Sequence, residues 1–205
     1  MATVILAGGS SKRMGRDKAS LEIGGSTLIQ SLVTRFADKF GGVIVVVGTG
    51  DQPAVDGALM AYDVYHNAGP LGGLHAGLLA TQDEVNFVLA CDMPLASVEL
   101  ASYIVSLAPG YDAVVPMLAR GPEPLHAAYA KSCLGVIESA IADGNLKMAD
   151  ALKSLNVFYV TEDKLRDHDP ELHSFVNVNT HEDYLEATQL LQALSRGLGL
   201  DEERY

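Results

Sequence analysis

Residues 6–18 read Leu-Ala-Gly-Gly-Ser-Ser-Lys-Arg-Met-Gly-Arg-Asp-Lys, the densest grouping in the chain of residue types suited to holding an anion. Gly8 and Gly9 let the backbone approach a ligand closely and adopt conformations closed to other residues. Ser10 and Ser11 add hydroxyl donors. Arg13 offers a planar fork to phosphate oxygens, and Lys18 offers a point charge. Of the 14 Lys and Arg residues, Lys12, Arg13, Arg16 and Lys18 fall within this stretch. Glycines, paired serines and clustered cations in one loop favour phosphate binding over an ordinary solvated turn. The loop is not a Walker A motif, because no Gly-Lys-Ser/Thr closes it, and it does not match the Gly-x-Gly-x-x-Gly dinucleotide loop. Its charge stands against the rest of the chain. Residues 1–50 carry +3, from six basic and three acidic residues; the whole protein carries −12, so the remaining 155 residues carry −15.

A carboxylate suited to a metal stands at Asp92. It follows the apolar run 86–91, and Pro94 discourages that run from continuing as a strand. Mg²⁺ prefers oxygen ligands and bridges substrate phosphates, a role this carboxylate would serve. A turn or capping aspartate is the other reading. Gly69-Pro70-Leu71-Gly72-Gly73 is a turn entering a helix. Its bare backbone could face a base or ribose edge, or simply satisfy a tight turn. Asn177 and Asn179 lie two apart on an extended segment and so face one side. Strands disfavour Asn, which leaves either a polar site or turn chemistry ahead of a helix. Arg120 reads first as a solvated loop arginine, and His66 and His75, without paired ligands, as surface or core histidines. Cys91 reads as a small buried hydrophobe.

An alternation of strands and helices must position these residues. The run 3–7 is short, β-rich and broken by Gly8-Gly9. Residues 20–23 predict a strand ending in the Gly24-Gly25 turn. Ser26 then caps a helix over about 27–40, with Leu28, Leu32, Phe36 and Phe40 on its buried side. Val43–Val47, β-branched throughout, predicts a strand buried on both faces. Further strands are predicted at 62–65, 86–91, 112–115 (closed by Pro116), 125–130, 157–160 and 175–178. Helices are predicted at 72–81, from the Ser97 cap to about 107, at 131–143 and at 149–155. A last helix is opened by Thr180, with a capping-box spacing to Asp183. Leu185, Leu190, Leu191 and Leu194 predict a core-facing stripe on it, and the polar tail 196–205 is expected to fray. Strands separated by helices predict an α/β fold: a Rossmann-like, mainly parallel sheet with helices on both faces. In such a sheet ligands bind beyond the carboxyl ends of the strands, where residues 8–18 and Asp92 fall.

Composition narrows the function classes. Apolar residues at 48% and charged residues at 20% describe an ordinary globular chain, long enough to bury a core without staples. The acidic balance excludes a large basic footprint for nucleic acid and disfavours an anionic membrane surface. Two cysteines, Cys91 and Cys133, exclude a disulfide scaffold and lack metal-ligand spacing. The longest strongly apolar run is too short to span a bilayer. No basic stretch precedes the first apolar residues as in a signal peptide, so a cytoplasmic protein is expected.

The loop 6–18 resembles the N-terminal signature of the MobA-like nucleotidyltransferases, the family of molybdenum cofactor guanylyltransferase: Leu-Ala-Gly-Gly-x-Ser-x-Arg-Met-Gly-x-Asp-Lys, matched at every specified position. The resemblance continues at Gly69-Pro70-Leu71-Gly72-Gly73, at Ala90-Cys91-Asp92-Met93-Pro94 and at Asn177-Val178-Asn179-Thr180, in the expected order. It implies a nucleotide-diphospho-sugar transferase type of fold over 1–205, with a nucleotide-binding half at 1–95, an acceptor-binding half at 96–195 and a tail at 196–205. It implies Mg²⁺-dependent transfer of GMP from GTP to the terminal phosphate of molybdopterin, with release of pyrophosphate. By the same resemblance Arg13, Lys18 and Asp92 are catalytic, and Asp92 is the metal ligand. Leu6, Ala7, Gly8, Gly9, Ser10, Lys18, Asp63, Gly69, Pro70, Leu71 and Asp92 bind nucleotide. Asn177 and Asn179 lie on the acceptor side, where Arg120 would meet an anionic group. The implied partners are GTP and the molybdenum cofactor, with transient proteins of the cofactor pathway and neither nucleic acid nor membrane. One departure touches base identity: Gly48-Thr49-Gly50 stands where relatives can carry a nucleotide-contacting Asn. A cytidylyltransferase, another small-acceptor nucleotidyltransferase and a catalytically silent nucleotide-binding regulator are the alternatives. The first favours Leu-Ala-Ala-Gly over the Leu-Ala-Gly-Gly found here, and the last would be expected to have lost Lys18 or Asp92.

Overall fold

β1 (Thr3–Leu6) is buried along its whole length and forms the middle of a mainly parallel sheet. The computed structural model describes residues 1–7, 21–23, 25–47 and 54–197. Gly8, Gly9, Ser10, Arg13 and Lys18 therefore lie outside the described residues, as do Gly48-Thr49-Gly50 and 198–205 of the tail.

On one side of β1 lie β4 (Val43–Val47) and then β5 (Leu59–Tyr62), both parallel to it in sequence. On the other lies β6 (Val85–Ala90), also parallel. Next comes β9 (His126–Ala130), antiparallel to β6 and to its other neighbour β7 (Ala113–Leu118), and finally β10 (Val157–Thr161), parallel to β7. The reversal has a plain cause. The chain between β7 and β9 turns through the short β8 (Gly121–Pro122), antiparallel to the end of β7. That connection is far too short for a crossover helix, so the returning strand must run backwards. A separate two-stranded hairpin pairs β2 (Glu22–Ile23) with β3 (Ser26–Thr27).

Helices cover both faces. Ile5, Val45, Phe87 and Leu89 meet Leu32 and Phe36 of α1 (Leu28–Ala37) and Leu100 and Ile104 of α3 (Val98–Ser106). Val4, Leu6, Ile44 and Val88 meet Leu71, Leu74 and Leu78 of α2 (Gly69–Ala80), Ile137 of α4 (Leu134–Ala142) and Leu152 of α5 (Met148–Leu152). The alternation of side chains along each strand supplies both faces at once. The buried rings of Phe36, Phe40 and Phe87 stack with centroids 5.8–6.3 Å apart; the expected helix over 27–40 ends at Ala37, so Phe40 joins the stack from just beyond it. α6 (Glu162–Arg166) follows β10 directly, and α7 (His181–Gly197) closes the chain over Leu28, Leu95 and Val178.

Several expected elements shift. Thr27, not Ser26, caps α1: its Oγ1 accepts from Gln30 N–H at 3.2 Å, because Ser26 is taken up in the hairpin. The strand expected at 62–65 lies at Leu59–Tyr62, and Asn67, at φ 62°, turns the chain after it. Pro116 does not close β7. Pairing with β9 extends only over Ala113 and Val114, so the missing N–H of Pro116 falls beyond that ladder. Its carbonyl instead accepts from Glu123 N–H at 2.9 Å. Residues 175–178 form no strand; a 3₁₀ turn, His173–Phe175, leads into irregular chain. On α7, Ala187 and Leu191 point into the core, whereas Leu185 and Leu194 are exposed. Leu185 lies on the opposite side of the helix from Ala187 and Leu191, whereas Leu194 shares their face but is still 38% exposed. No helix among the described residues is long and apolar enough to cross a membrane.

Candidate active site

The carboxyl ends of the central strands are tied directly to one another. Ala7 N–H donates to the Val46 carbonyl at 2.8 Å, and Cys91 N–H donates to the Leu6 carbonyl at 3.0 Å. Leu6 and Ala7 thus end β1 next to Cys91, at the edge where a parallel sheet holds ligands. Leu6, Ala7 and Leu71 are buried, with their side chains packed in the core.

Asp92 is half-buried, two residues past the end of β6 and directly after Cys91. Its carbonyl accepts from Val178 N–H at 2.8 Å. This bond is the long-range fact of the site, because it sets Asn177 and Asn179 on either side of a residue anchored to Asp92. It also explains the absent strand: Val178 spends its N–H on Asp92, and Asp169 takes His173 N–H and Ser174 N–H at 3.0 and 2.8 Å. Both asparagines line the same open pocket, although the segment that carries them is irregular chain and not the expected strand.

That pocket, about 580 Å³, opens at the carboxyl ends of β7 and β10 and includes Arg120, Glu162, Arg166, Phe175, Asn177 and Asn179. Arg120 Nη2 donates to Glu123 Oε2 at 3.0 Å and to the Phe175 carbonyl at 3.1 Å. Among the described residues its Nε and Nη1 have no partner, so three N–H donors of the guanidinium remain for an anion. The two acids of the pocket are otherwise occupied. Glu162 accepts from Ala119 N–H and from Arg166, which together hold its carboxyl below the usual carboxylate range. Asp183 accepts from Asn179 N–H and Thr180 N–H, both at 2.8 Å, while Thr180 Oγ1 accepts from Asp183 N–H at 3.1 Å. This is the reciprocal capping box that the Thr180–Asp183 spacing predicts, and it fixes the chain next to Asn179. Glu162 and Arg166 were not singled out in the sequence. Acids in the first turn and Lys164 and Arg166 in the last are a usable signal for α6, but nothing local places them at a pocket.

On the other side, Asp63 follows β5 and faces the start of α2. A Cβ on Gly73 would lie 3.8 Å from Asp63 Oδ1. Burial raises the Asp63 carboxyl above its ordinary value, and His66 partly opposes this. A desolvated acceptor beside a bare helix start suits hydrogen bonding to a nucleoside. The glycines of 69–73 divide between the two readings. Gly69 adopts φ 59° and is exposed with Pro70. Gly72 and Gly73 are steric: a Cβ on Gly72 would meet Ala68 Cβ at 2.8 Å, and one on Gly73 would meet Leu6 Cδ2 at 3.3 Å. His75 is a core histidine, with Nε2 3.0 Å from Glu138 Oε1; His66 is exposed. Cys91 is buried, as expected of a small hydrophobe.

Asp92 brings a carboxylate oxygen donor of the kind a hard cation takes, and the chain bonded to its carbonyl carries Asn177 and Asn179. Among the described residues no three His, Cys, Asp or Glu side chains gather as a metal cage. One or two carboxylates completed by substrate phosphates is the arrangement Mg²⁺ favours, so these residues fit such an ion.

The family model of the MobA-like NTP transferase domain matches residues 3–161. A probable molybdenum cofactor guanylyltransferase of Pelotomaculum thermopropionicum is 36% identical over 184 residues, covering 90% of each chain. The crystal structure of molybdopterin-guanine dinucleotide biosynthesis protein A from Archaeoglobus fulgidus superposes with a TM-score of 0.81 at 29% identity, covering 94% of this chain and all of that one. The 2-C-methyl-D-erythritol 4-phosphate cytidylyltransferase of Thermus thermophilus shares the fold at a TM-score of 0.69 and 18% identity, covering 93% and 98%.

Proposed function

Because the chain belongs to the MobA-like NTP transferase family, we propose that this nucleotidyltransferase moves GMP from GTP to the terminal phosphate of molybdopterin, releasing pyrophosphate and forming the guanine dinucleotide cofactor. The observation that carries the reading is the bond from Val178 N–H to the Asp92 main-chain carbonyl, which ties the chain at Asp92 to an asparagine pair that lines the pocket of Arg120. In this reading 1–95 serves the nucleotide and 96–195 the acceptor, across one continuous sheet.

A terminal phosphate oxygen of the acceptor forms a bond to the α-phosphorus of GTP. The α–β bridging bond breaks, and its electron pair leaves on pyrophosphate. The acceptor phosphate is already largely ionised, with a second pKa of about 6, so no dedicated general base is needed. The protein's work is alignment and charge stabilisation. Gly8, Gly9 and Ser10 supply close donors, and Arg13 and Lys18 neutralise the triphosphate. Asp63 and the exposed Gly69-Pro70 turn meet the nucleoside. Asn177, Asn179 and Arg120 receive the acceptor. Asp92 would hold Mg²⁺, which supplies Lewis-acid stabilisation of phosphate charge when bound.

The test is pyrophosphate release with each of the four NTPs, with and without molybdopterin. Release that requires both GTP and molybdopterin supports the reading. Release with CTP alone, or only with a sugar phosphate, overturns it.

A further inference from the structure

Arg35 lies half-buried in the last turn of α1. Its Nη2 donates to the Pro94 carbonyl at 2.8 Å and to Ser31 Oγ at 3.2 Å, and its Nη1 donates to the Ala96 carbonyl at 3.0 Å. Both carbonyls belong to the buried turn that immediately follows Asp92. The turn's own backbone bonds, Met93 N–H to Ala90 and Ala96 N–H to Met93, are long at 3.3 and 3.2 Å. Pro94 can donate none. From the acceptor side the turn is gripped by Val178 N–H on the Asp92 carbonyl and by Ser174 Oγ on Ser97 N–H at 2.9 Å. From the α1 side it is gripped by Arg35. Half-burying a guanidinium costs desolvation, and an apolar residue would fill the same space without that cost. What the guanidinium adds is a rigid planar fork that fixes two carbonyls relative to α1.

We propose that Arg35 is a positioning residue for Asp92: it touches neither nucleotide nor acceptor, and it holds the carboxylate at 92 where a metal–nucleotide complex can use it. The proposal rests on the reading of Asp92 as the cation's ligand. Functional groups need to be held within about 0.5 Å of their working geometry. A turn freed on one side loses that precision while the strand before it stays in place.

The test measures affinity for the Mn²⁺–GTP complex by water-proton relaxation, beside affinity for metal-free GTP by calorimetry in EDTA. Arg35→Met keeps the stem and removes the fork. It is expected to weaken Mn²⁺–GTP binding about tenfold and to leave metal-free GTP affinity within twofold. Arg35→Lys should fall between it and the wild type, and Ser31→Ala, which removes one partner of the fork, should weaken Mn²⁺–GTP binding two- to threefold. Wild-type Mn²⁺–GTP affinity in Arg35→Met overturns the proposal, as does equal weakening with and without metal. If Arg35→Met does not fold, Arg35→Lys and Ser31→Ala decide, and wild-type metal dependence in both overturns it. Asp92→Ala separates the two layers. Unchanged Mn²⁺–GTP binding there rejects Asp92 itself, whereas a loss there with none in the Arg35 variants rejects only the positioning role.

Discussion

Gly77 of α2 is predicted to reverse the usual effect of replacing a helical glycine. A Cβ built there would sit 2.3 Å from Val4 Cγ1 and 3.2 Å from Val4 Cγ2, against about 3.5–4.0 Å at van der Waals contact. Val4 is fully buried in the central strand and β-branched, so it cannot rotate clear. α2 must therefore lift from the sheet by roughly 1.5 Å. Alanine gains about 1 kcal/mol in helix propensity, and overpacking costs about 1–3 kcal/mol, with further loss where the lifted helix leaves its contacts. The expected net effect of Gly77→Ala is a loss of about 1–2 kcal/mol, or roughly 2–8 °C in unfolding temperature for a chain of this size. Gly135 on α4 is the control, because nothing lies within 4 Å of a Cβ built there; Gly135→Ala should stabilise by about 0.5–1 kcal/mol. The displacement also reaches the site, since α2 begins at Gly69 and its first turn faces Asp63. A shift near 1 Å can cost up to about 10²-fold in rate, so turnover should fall more than stability alone explains. Val4→Ala makes room, and the double variant should be less destabilised than the sum of the singles by at least about 1 kcal/mol. Thermal unfolding with a turnover assay reads all of these. A Gly77→Ala protein that melts higher than the wild type would refute the claim that α2 is held at glycine distance from β1.

Four further outcomes follow from named groups. Lys18→Ala and Asp92→Ala should each lower turnover on the order of 10²–10³-fold with unchanged circular dichroism, and near-normal turnover at saturating substrate would remove the role. Arg120→Met should raise KM for molybdopterin about tenfold and leave KM for GTP in place; equal rises in both would show that the pocket does not discriminate. His126 is fully buried between Phe87 and Phe175, neither ring nitrogen has a hydrogen-bond partner among the described residues, and burial drives its pKa down from 6.5 to about 3. The unfolded chain takes up a proton there that the folded chain refuses, so stability is full above pH 6.5 and falls as pH drops toward 3, by at most about 5 kcal/mol. Urea midpoints across that window should fall less steeply for His126→Phe, and identical slopes would refute the assignment. Asp183→Ala removes the acceptor for two backbone N–H groups and should cost about 1 kcal/mol while raising KM for the acceptor through Asn179.

What was legible in the sequence is what local patterns dictate. Val43–Val47 announces a buried strand because five β-branched residues suit little else. The Thr180–Asp183 box is readable because its two bonds lie within one turn. The loop at 8–18 is conspicuous because its cations oppose the charge of the rest of the chain. The misplaced elements share a different cause: each is decided by a partner distant in sequence. Pro116 looks like a strand end until β9 is seen to leave β7 before reaching it. Residues 175–178 look extended and apolar, yet their N–H groups go to a turn and to Asp92. Arg35 sits on an ordinary amphipathic helix, and only the fold brings it to the Pro94 and Ala96 carbonyls some sixty residues away.

The reversal of β9 is the detail that lets the site exist. Had the chain made another parallel crossover after β7, no short return would lie between β6 and β7. Because β9 runs backwards between them, β7 and β10 keep the direction of β6, and their carboxyl ends open on the same edge as Asp92. The pocket of Arg120 and Arg166 therefore opens at the same edge of the sheet as the carboxyl end of β1. The segment 173–179 needs only to cross the end of one reversed strand to place Val178 on Asp92. Disrupting the short β8 turn should therefore damage acceptor recognition while leaving nucleotide binding intact. Lengthening the Arg120–Gly121 turn by two glycines tests this directly: KM for the acceptor should rise at least tenfold with GTP affinity held within twofold. Parallel losses in both would mean that the two sides of the edge are not independently positioned.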